Sequence, residues 1–570
     1  MSYPDPHQQP QWQPHQPGLP GQGHPPAPGA VPPGAAPPGG MPGQHYAGPG
    51  YPAAPGGPGY PGGPGYPGGP GYPGGPVPPG GGGARRNRWL IPAAAGTAVV
   101  LMAGTVWATV SLVSFGGTQP EEVLPGSSLA FGKVDLAIDG SQAIELLEFV
   151  ERLPAEVTEQ TDTPDGDMTG LFAEVFVDAF PESSPSQDRV EEWIGQRVGF
   201  SVWPVSGDAE VEEGAGVAMA VALAVEDPRK ADEDFAGIAS EEEDLAYSVD
   251  GDYLVFTHSD AALSDLERQI DEHGSLADND VFSEDISGVA SGSLAVAWAD
   301  LGAAMGIEAF AREFESELST ETADFSGRAT ASVRVDGEYL EARMDAFAFE
   351  VNEADLSWLS EAPGESVTAL GDLPDNTVIA VGASGLDQAL IEAYDSEEIP
   401  FFSSSGEQQE FERGMNGMGI SMPEGFSDLL GSSTSFGITQ ISLDDFFGGY
   451  GSEQISFQYR AVGGDETAIT DFLANDDPYS IPPGVSGDGD TVVVSQGSSG
   501  TGRLADDPVF QQTMQEMDSA VMAGYFDMRQ VLTTNDVENP DEWGALGMAL
   551  SVTEEGARST VELRWAPSAG

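Results

Sequence analysis

The side chains that could carry acid–base, nucleophilic or metal chemistry are scarce in some classes and abundant in one. Beyond residue 120 the only histidines are His258 and His273. A zinc site would need carboxylates to complete it, and no His-Glu-x-x-His spacing is present. His273 stands before Gly274 at an expected helix end, where a cation suits the helix dipole, so it reads as structural. Ser384 lies in Gly382-Ala-Ser-Gly385, but Leu386 occupies the place of the second glycine of a nucleophile elbow. With two histidines and no context for a triad, a serine hydrolase is not expected. Carboxylates number 93, so a pair for glycoside hydrolysis exists by count alone and no particular pair is singled out. Asp162, Asp165 and Asp167, and likewise Asp488 and Asp490, have the density of a calcium loop. Neither stretch supplies the later glutamate that an EF-hand requires, and both read as solvated acidic loops. No phosphate-binding glycine loop is seen. Trp193, Trp203, Trp298 and Trp565 lie in or beside apolar segments and read as core. The absence of cysteine excludes disulfides, thiolate metal sites, a cysteine nucleophile and a lipid-modified N-terminal cysteine. No catalytic, cofactor-binding or metal-ligating residue is therefore assigned, and no cofactor is expected.

The elements that would position any site are set first by charge. The 570 residues carry 20 Lys+Arg and 93 Asp+Glu, a formal charge of −73. Residues 1–120 hold one acid, Asp5, and three bases, Arg85, Arg86 and Arg88. The acids therefore concentrate beyond residue 120, where Lys133 and Lys230 are the only lysines. Such a surface repels nucleic acid and anionic headgroups and attracts cations or a basic partner. Solubility in a salty medium, where screening removes the self-repulsion, is the plainer reading.

Residues 1–84 are Pro, Gly and Gln with scattered Tyr and His, and repeat Tyr-Pro-Gly-Gly-Pro-Gly at Tyr60, Tyr66 and Tyr72. With almost no large aliphatic residues they cannot offset the entropy of ordering, so a disordered cytoplasmic tail is expected, either docking a cytoplasmic protein or self-associating through its tyrosines, or serving as a passive spacer. Trp89 to Phe115 has no Asp, Glu, Lys, Arg or His. About 20 apolar residues suffice to cross a bilayer, so 85–115 is expected to be a basic flank and transmembrane helix. The arginines before it place the N-terminus in the cytoplasm and the C-terminal domain outside, as in a single-pass signal anchor in the cell membrane.

From residue 121 the same elements recur in the same order. Leu124-Pro125-Gly126 matches Leu373-Pro374-Asp375, and Trp193-Ile194-Gly195 matches Leu429-Leu430-Gly431. Val221–Val225 with Asp227 matches Phe457–Ala461 with Asp465, and Gly251-Asp252-Tyr253 matches Gly489-Asp490-Thr491. Leu276-Ala277-Asp278 matches Leu504-Ala505-Asp506. The offsets are 249, 236, 236, 238 and 228 residues. Each half is expected to end in a hairpin: Ala329–Val335 with Tyr339–Phe347, then Gly547–Val552 with Ser559–Trp565. The alternation of Arg328–Val335 marks a half-buried strand. Asp260 is expected to cap an amphipathic helix to Ile270, and Asp300 one running to about Leu318. The fold class expected is α+β: a duplicated ectodomain of mainly antiparallel sheets with packed helices, plus one transmembrane helix and a disordered N-terminal tail. Repeat 1 covers 121–350, a connector 351–371, and repeat 2 372–570.

The opening Leu124-Pro-Gly-Ser-Ser-Leu-Ala-Phe-Gly-Lys-Val-Asp-Leu136, the segment Val249–Thr257 and the step from Leu276-Ala-Asp to Val281-Phe282 resemble a domain-of-unknown-function family. That family comprises single-pass envelope proteins of actinobacteria with Pro/Gly-rich N-terminal tails. The resemblance covers most of 120–570 and implies no activity or site residue. The expected function is non-enzymatic: a single-pass membrane protein whose acidic extracytoplasmic domain binds or braces an extracellular ligand and whose tail docks a partner. The alternatives are a carboxylate-dependent enzyme of cell-wall polysaccharide and a ligand sensor signalling through a partner.

Overall fold

The computed structural model describes residues 118–568, apart from 136–139, 155–156, 158–167, 182, 206–215, 243–244, 308–309, 312–324, 352–355, 361, 397–404, 441–454, 477–482, 498–499, 534–536, 538 and 554–556. Alternating runs rich in Val, Ala, Phe and Trp form its strands, as the period-2 pattern requires. In the first half these are β1 Ala130–Asp135, β2 Ile194–Pro204, β3 Val217–Val225, β4 Ala246–Asp250, β5 Tyr253–Thr257, β6 Ala295–Asp300, β7 Phe325–Asp336 and β8 Tyr339–Val351. In the second they are β9 Ile379–Ser384, β10 Ser433–Gln440, β11 Ser456–Val462, β12 Gly484–Asp488, β13 Thr491–Gln496, β14 Met522–Asp527, β15 Ala545–Thr553 and β16 Arg558–Ala566.

All sixteen belong to one antiparallel sheet, in the order β12-β13-β11-β10-β9-β14-β15-β16-β8-β7-β6-β1-β2-β3-β5-β4. Read outward from the middle, each half has the same order, strand for strand. Smaller features repeat as well. Leu276 N donates to Leu124 O at 2.8 Å, and Leu504 N donates to Leu373 O at 2.8 Å. The isolated bridges Pro125–Ser275 and Pro374–Arg503 stand at equivalent places. The halves meet where β8 and β16, themselves equivalent strands, pair from Leu340–Trp565 to Phe347–Arg558.

Helices pack against both faces, over the outer one only in part. On the inner face Asp260–His273 and Asp280–Ile286 pack over the first half, burying Phe131, Trp203, Tyr253, Leu266 and Trp298. Ser366–Gly371 and Pro508–Thr513 do the same for the second half, around Leu370, Leu504, Phe510 and Tyr525. On the outer face Met168–Ala179 and Pro228–Glu241 close a cluster around Trp193, Ile194, Phe235 and Leu254. The helix Gly140–Val150 reaches the junction, where Phe149 meets Trp565 edge-on at 6.0 Å.

Three buried tryptophans of the first half are held alike. The indole N–H of Trp193 donates to Asp234, that of Trp203 to Asp265 and that of Trp298 to Asp285, at 3.0, 3.0 and 2.9 Å. Each aspartate is in turn paired with an arginine: Arg189, Arg268 and Arg328 respectively. A buried carboxylate is tolerated only when paired and hydrogen-bonded, and these meet both conditions.

Several expectations are corrected here. The α+β arrangement of separate sheets in a duplicated ectodomain is replaced by a single continuous sheet, because two equivalent strands pair across the junction instead of each half closing on itself. The transmembrane helix and the single-pass, signal-anchor placement in the cell membrane, N-terminus cytoplasmic and C-terminal domain extracellular, are not carried further. Among the described residues no helix is long and apolar enough to cross a membrane. The longest, Pro228–Glu241 and Asp260–His273, have 14 residues each, about 21 Å, and both are amphipathic. Residues 1–84 and the span 85–115 lie outside the described residues. The cap of the helix to His273 is Ser259, whose Oγ accepts from Ala262 N at 3.2 Å, with Asp260 one residue inside. Asp300 does cap a helix, accepting from Ala303 N at 2.8 Å, but that helix is Leu301–Met305, and 312–324 lie outside the described residues.

Candidate binding face and the charged seam behind it

The residues singled out by type fall into separate, occupied places. His273 ends its helix before Gly274, whose φ is 76°. His258 follows β5 at a bend. Ser384 is buried at the end of β9; its hydroxyl donates to Pro363 O and accepts from Glu365 N. It fastens the start of the helix Ser366–Gly371 and has no histidine beside it among the described residues. Asp488 and Asp490 are exposed on either side of Gly489 in the β12–β13 turn. Asp162, Asp165 and Asp167 lie outside the described residues. Trp193, Trp203 and Trp298 are buried, and Trp565 is half-buried with its indole N–H on Trp543 O at 2.8 Å. Among the described residues no group of three or more acidic or histidine side chains is arranged to hold a metal.

What the fold does bring together is a seam of opposite charges on the inner face of β7, β8 and β16. Glu341, Arg343 and Asp345 alternate along β8 and face Arg564, Glu562 and Thr560 on β16. Arg334 on β7 holds Glu341 through two bonds of 2.7 and 3.1 Å, and Arg564 Nε adds a third at 2.9 Å. Arg343 holds Asp345 through bonds of 2.9 and 3.1 Å and reaches across the junction to Glu562 at 3.1 Å. Asp345 also accepts from Arg558 at 3.2 Å and from Thr560 at 2.6 Å. Arg564 lies 4.6 Å from the Tyr339 ring centre and donates to Gln515 O. The side chains of Arg564, Asp345 and Glu341 are only 2, 3 and 4% exposed.

Burial pushes the Glu341 and Asp345 carboxyls up, but their arginines more than offset it, and both are held below the ordinary carboxylate range. Burial prevails at Glu562, which is raised. Four arginines face three carboxylates here, and every one of the three carboxylates is held in an ion pair. The sequence signal for this seam was legible and was missed. In a chain this poor in bases, Arg-x-Thr-x-Glu-x-Arg over Arg558–Arg564 and Glu-x-Arg-x-Asp over Glu341–Asp345 put opposite charges on one face of each strand.

The outer face from β8 across to β10 is the opposite in character. Leu563, Met548, Gly524, Val381 and Phe436 stand directly opposite one another in a row across β16, β15, β14, β9 and β10. A parallel row runs Trp565, Leu546, Phe526, Ile379, Ile438, and another Met344, Val561, Leu550, Met522, Ala383. No charged side chain interrupts these rows. Seven of their members, Met344, Val381, Phe436, Met522, Leu546, Met548 and Leu563, are 37–52% exposed. Isolated exposed apolar residues are ordinary; these seven adjoin one another across neighbouring strands. Neither a family of known proteins, nor a curated protein, nor a solved structure matches this chain.

Proposed function

We propose that residues 118–568 form a non-enzymatic binding module in which the outer face of the second half, with the adjoining β8, receives an apolar surface of a partner. The observation that carries this reading is the run of seven large apolar side chains, each more than a third exposed, on one uncharged face of six neighbouring strands. The inner seam supports it from behind: its carboxylates are consumed in ion pairs, so they brace the junction and are not free to move protons. Titration with a neutral solvatochromic dye such as Nile red tests the reading. The wild-type chain is expected to bind and brighten it, and Met548→Asn/Leu563→Asn is expected to lose most of that signal with an unchanged circular dichroism spectrum. Equal dye binding by the two proteins would overturn it.

A further inference from the structure

Resting on that reading, we infer that the partner is a basic amphipathic helix of another protein, laid across the strands on the row Leu563, Met548, Gly524, Val381 and Phe436. Three observations identify it. The first is shape. Five strands at about 4.8 Å spacing and three side-chain rows about 6.6 Å apart give a strip roughly 20–25 Å long and 13 Å wide. A helix is about 10 Å across and rises about 1.5 Å per residue, so one helix of about 16 residues fills the strip. The second is area. The strip amounts to roughly 300 Å² by the same spacings, well under the roughly 800 Å² per partner that a stable dimer buries, so a second copy docked on this face alone is undersized.

The third is charge. Both long margins of the strip are acidic. Beyond Leu546 and Trp565 lies the turn Pro540–Trp543, with Asp541 exposed and Glu542 half-buried; Trp543 packs 6.3 Å from Trp565. Beyond Leu550 and Val552 lies the helix Leu386–Asp395, which packs on them through Leu386 and Ala389 and exposes Glu392 and Asp395. A helix lying between these margins presents one flank to each. Lys or Arg on both flanks is attracted, and the chain's formal charge of −73 repels an acidic counterpart. Three of the seven exposed side chains are methionines, whose unbranched, polarizable chains adapt to varied apolar surfaces.

Fluorescence anisotropy on the full chain with two synthetic 17-residue peptides decides the matter. One has Leu at helical spacing with Lys on its flanks; the other replaces every Lys by Glu. The Lys peptide is expected to bind at least tenfold tighter than the Glu peptide. Its affinity is expected to fall at least tenfold in Met548→Asn/Leu563→Asn, and again in the separate pair Met522→Asn/Leu546→Asn, which guards against misfolding of one variant. Equal binding of the two peptides overturns the inference. So does Lys-peptide binding that neither pair weakens, which would be attraction to the acidic surface at large. Loss of dye binding in the variants with no preference for the Lys peptide leaves the apolar face standing and removes the helix. Sedimentation of the wild type as a dimer that both pairs dissolve assigns the face to a second copy and overturns the inference too.

Discussion

The same row of the outer face is built twice, from different residues. In the first half Gly132, Ala297 and Ala331 stand opposite one another on β1, β6 and β7. In the second, Val381, Gly524 and Met548 occupy β9, β14 and β15. The phenylalanine next in line is present in both, Phe200 beside Gly132 and Phe436 beside Val381. The Phe200 ring lies over Gly132, so close that a Cβ there would run into it. At the second-half position Val381 fills that space, and Phe436 is left 37% exposed. Beside a glycine the ring packs over the neighbouring strand; beside a valine it rests 5.6 Å from Phe457 and stays exposed. The difference teaches that repeated topology fixes where a face is, while small-to-large exchanges fix whether it is free.

The largest effect that would break the comparison lies at the seam both halves share. Arg564→Ala removes one partner of buried Glu341 and is expected to cost about 3–5 kcal/mol in urea unfolding, the usual penalty for breaking a buried pair. A cost below about 1 kcal/mol would mean the halves hold together by backbone pairing alone. The same seam sets an acid limb. Glu341 and Asp345 have depressed folded values, so their stabilisation is complete above the ordinary carboxylate range, about pH 4, and is lost as pH falls through the folded values. Glu562, raised by burial, works in the opposite sense and softens that loss. Arg564→Ala is accordingly expected to flatten the acid dependence of stability between about pH 5 and pH 2.

A middle effect tests the row itself. Gly132→Val forces the Phe200 ring off β1 and is expected to cost about 1–3 kcal/mol, as overpacking does. It should also give the first half new dye binding. Val381→Gly is expected to do the reverse, lowering dye binding as Phe436 settles; unchanged dye binding in both would separate ring position from surface.

The smallest effects compare two equivalent aromatic residues on the inner face. Trp298 donates to Asp285, while Tyr525, stacked edge-on against Phe510 at 5.1 Å, has a buried hydroxyl without a hydrogen-bond partner among the described residues. Trp298→Phe is expected to cost about 1–3 kcal/mol because it leaves a buried acceptor short of a donor. Tyr525→Phe should be neutral or slightly stabilising. Equal costs in thermal melts would count against this account.

How far the sequence exposes all this follows from range. The β7–β8 hairpin was legible because its alternation is local, but its turn is one residue shorter than the expected Asp336-Gly337-Glu338, since Asp336 pairs with Tyr339. The β15–β16 hairpin was legible for the same reason, and the structure sets its register with Gly547 opposite Arg564 and Val552 opposite Ser559. The union of β8 with β16 was not, since period-2 patterning says that a strand has two faces and nothing about which distant strand it joins. The tryptophan–aspartate bonds were hidden likewise, because Trp203 and Asp265 lie 62 residues apart and abundant carboxylates make any pairing look equally plausible. The apolar face was hidden by its own success as strand sequence: alternation does not say whether Met548 and Leu563 are covered, and among the described residues both are more than a third exposed.

The position of Arg343 opposite Glu562 has a consequence for how such a seam can exist at all. Ala331 pairs with Met344 and the equivalent Met548 with Leu563, so Arg343 and Glu562 are equivalent residues facing each other on the local two-fold axis. Two separate copies of one half, joined through the same strands, would have to set that residue against itself, arginine on arginine or glutamate on glutamate. Carrying both halves in one polypeptide lifts that restriction. The axis can hold opposite charges 3.1 Å apart because covalent linkage made the two sides free to differ.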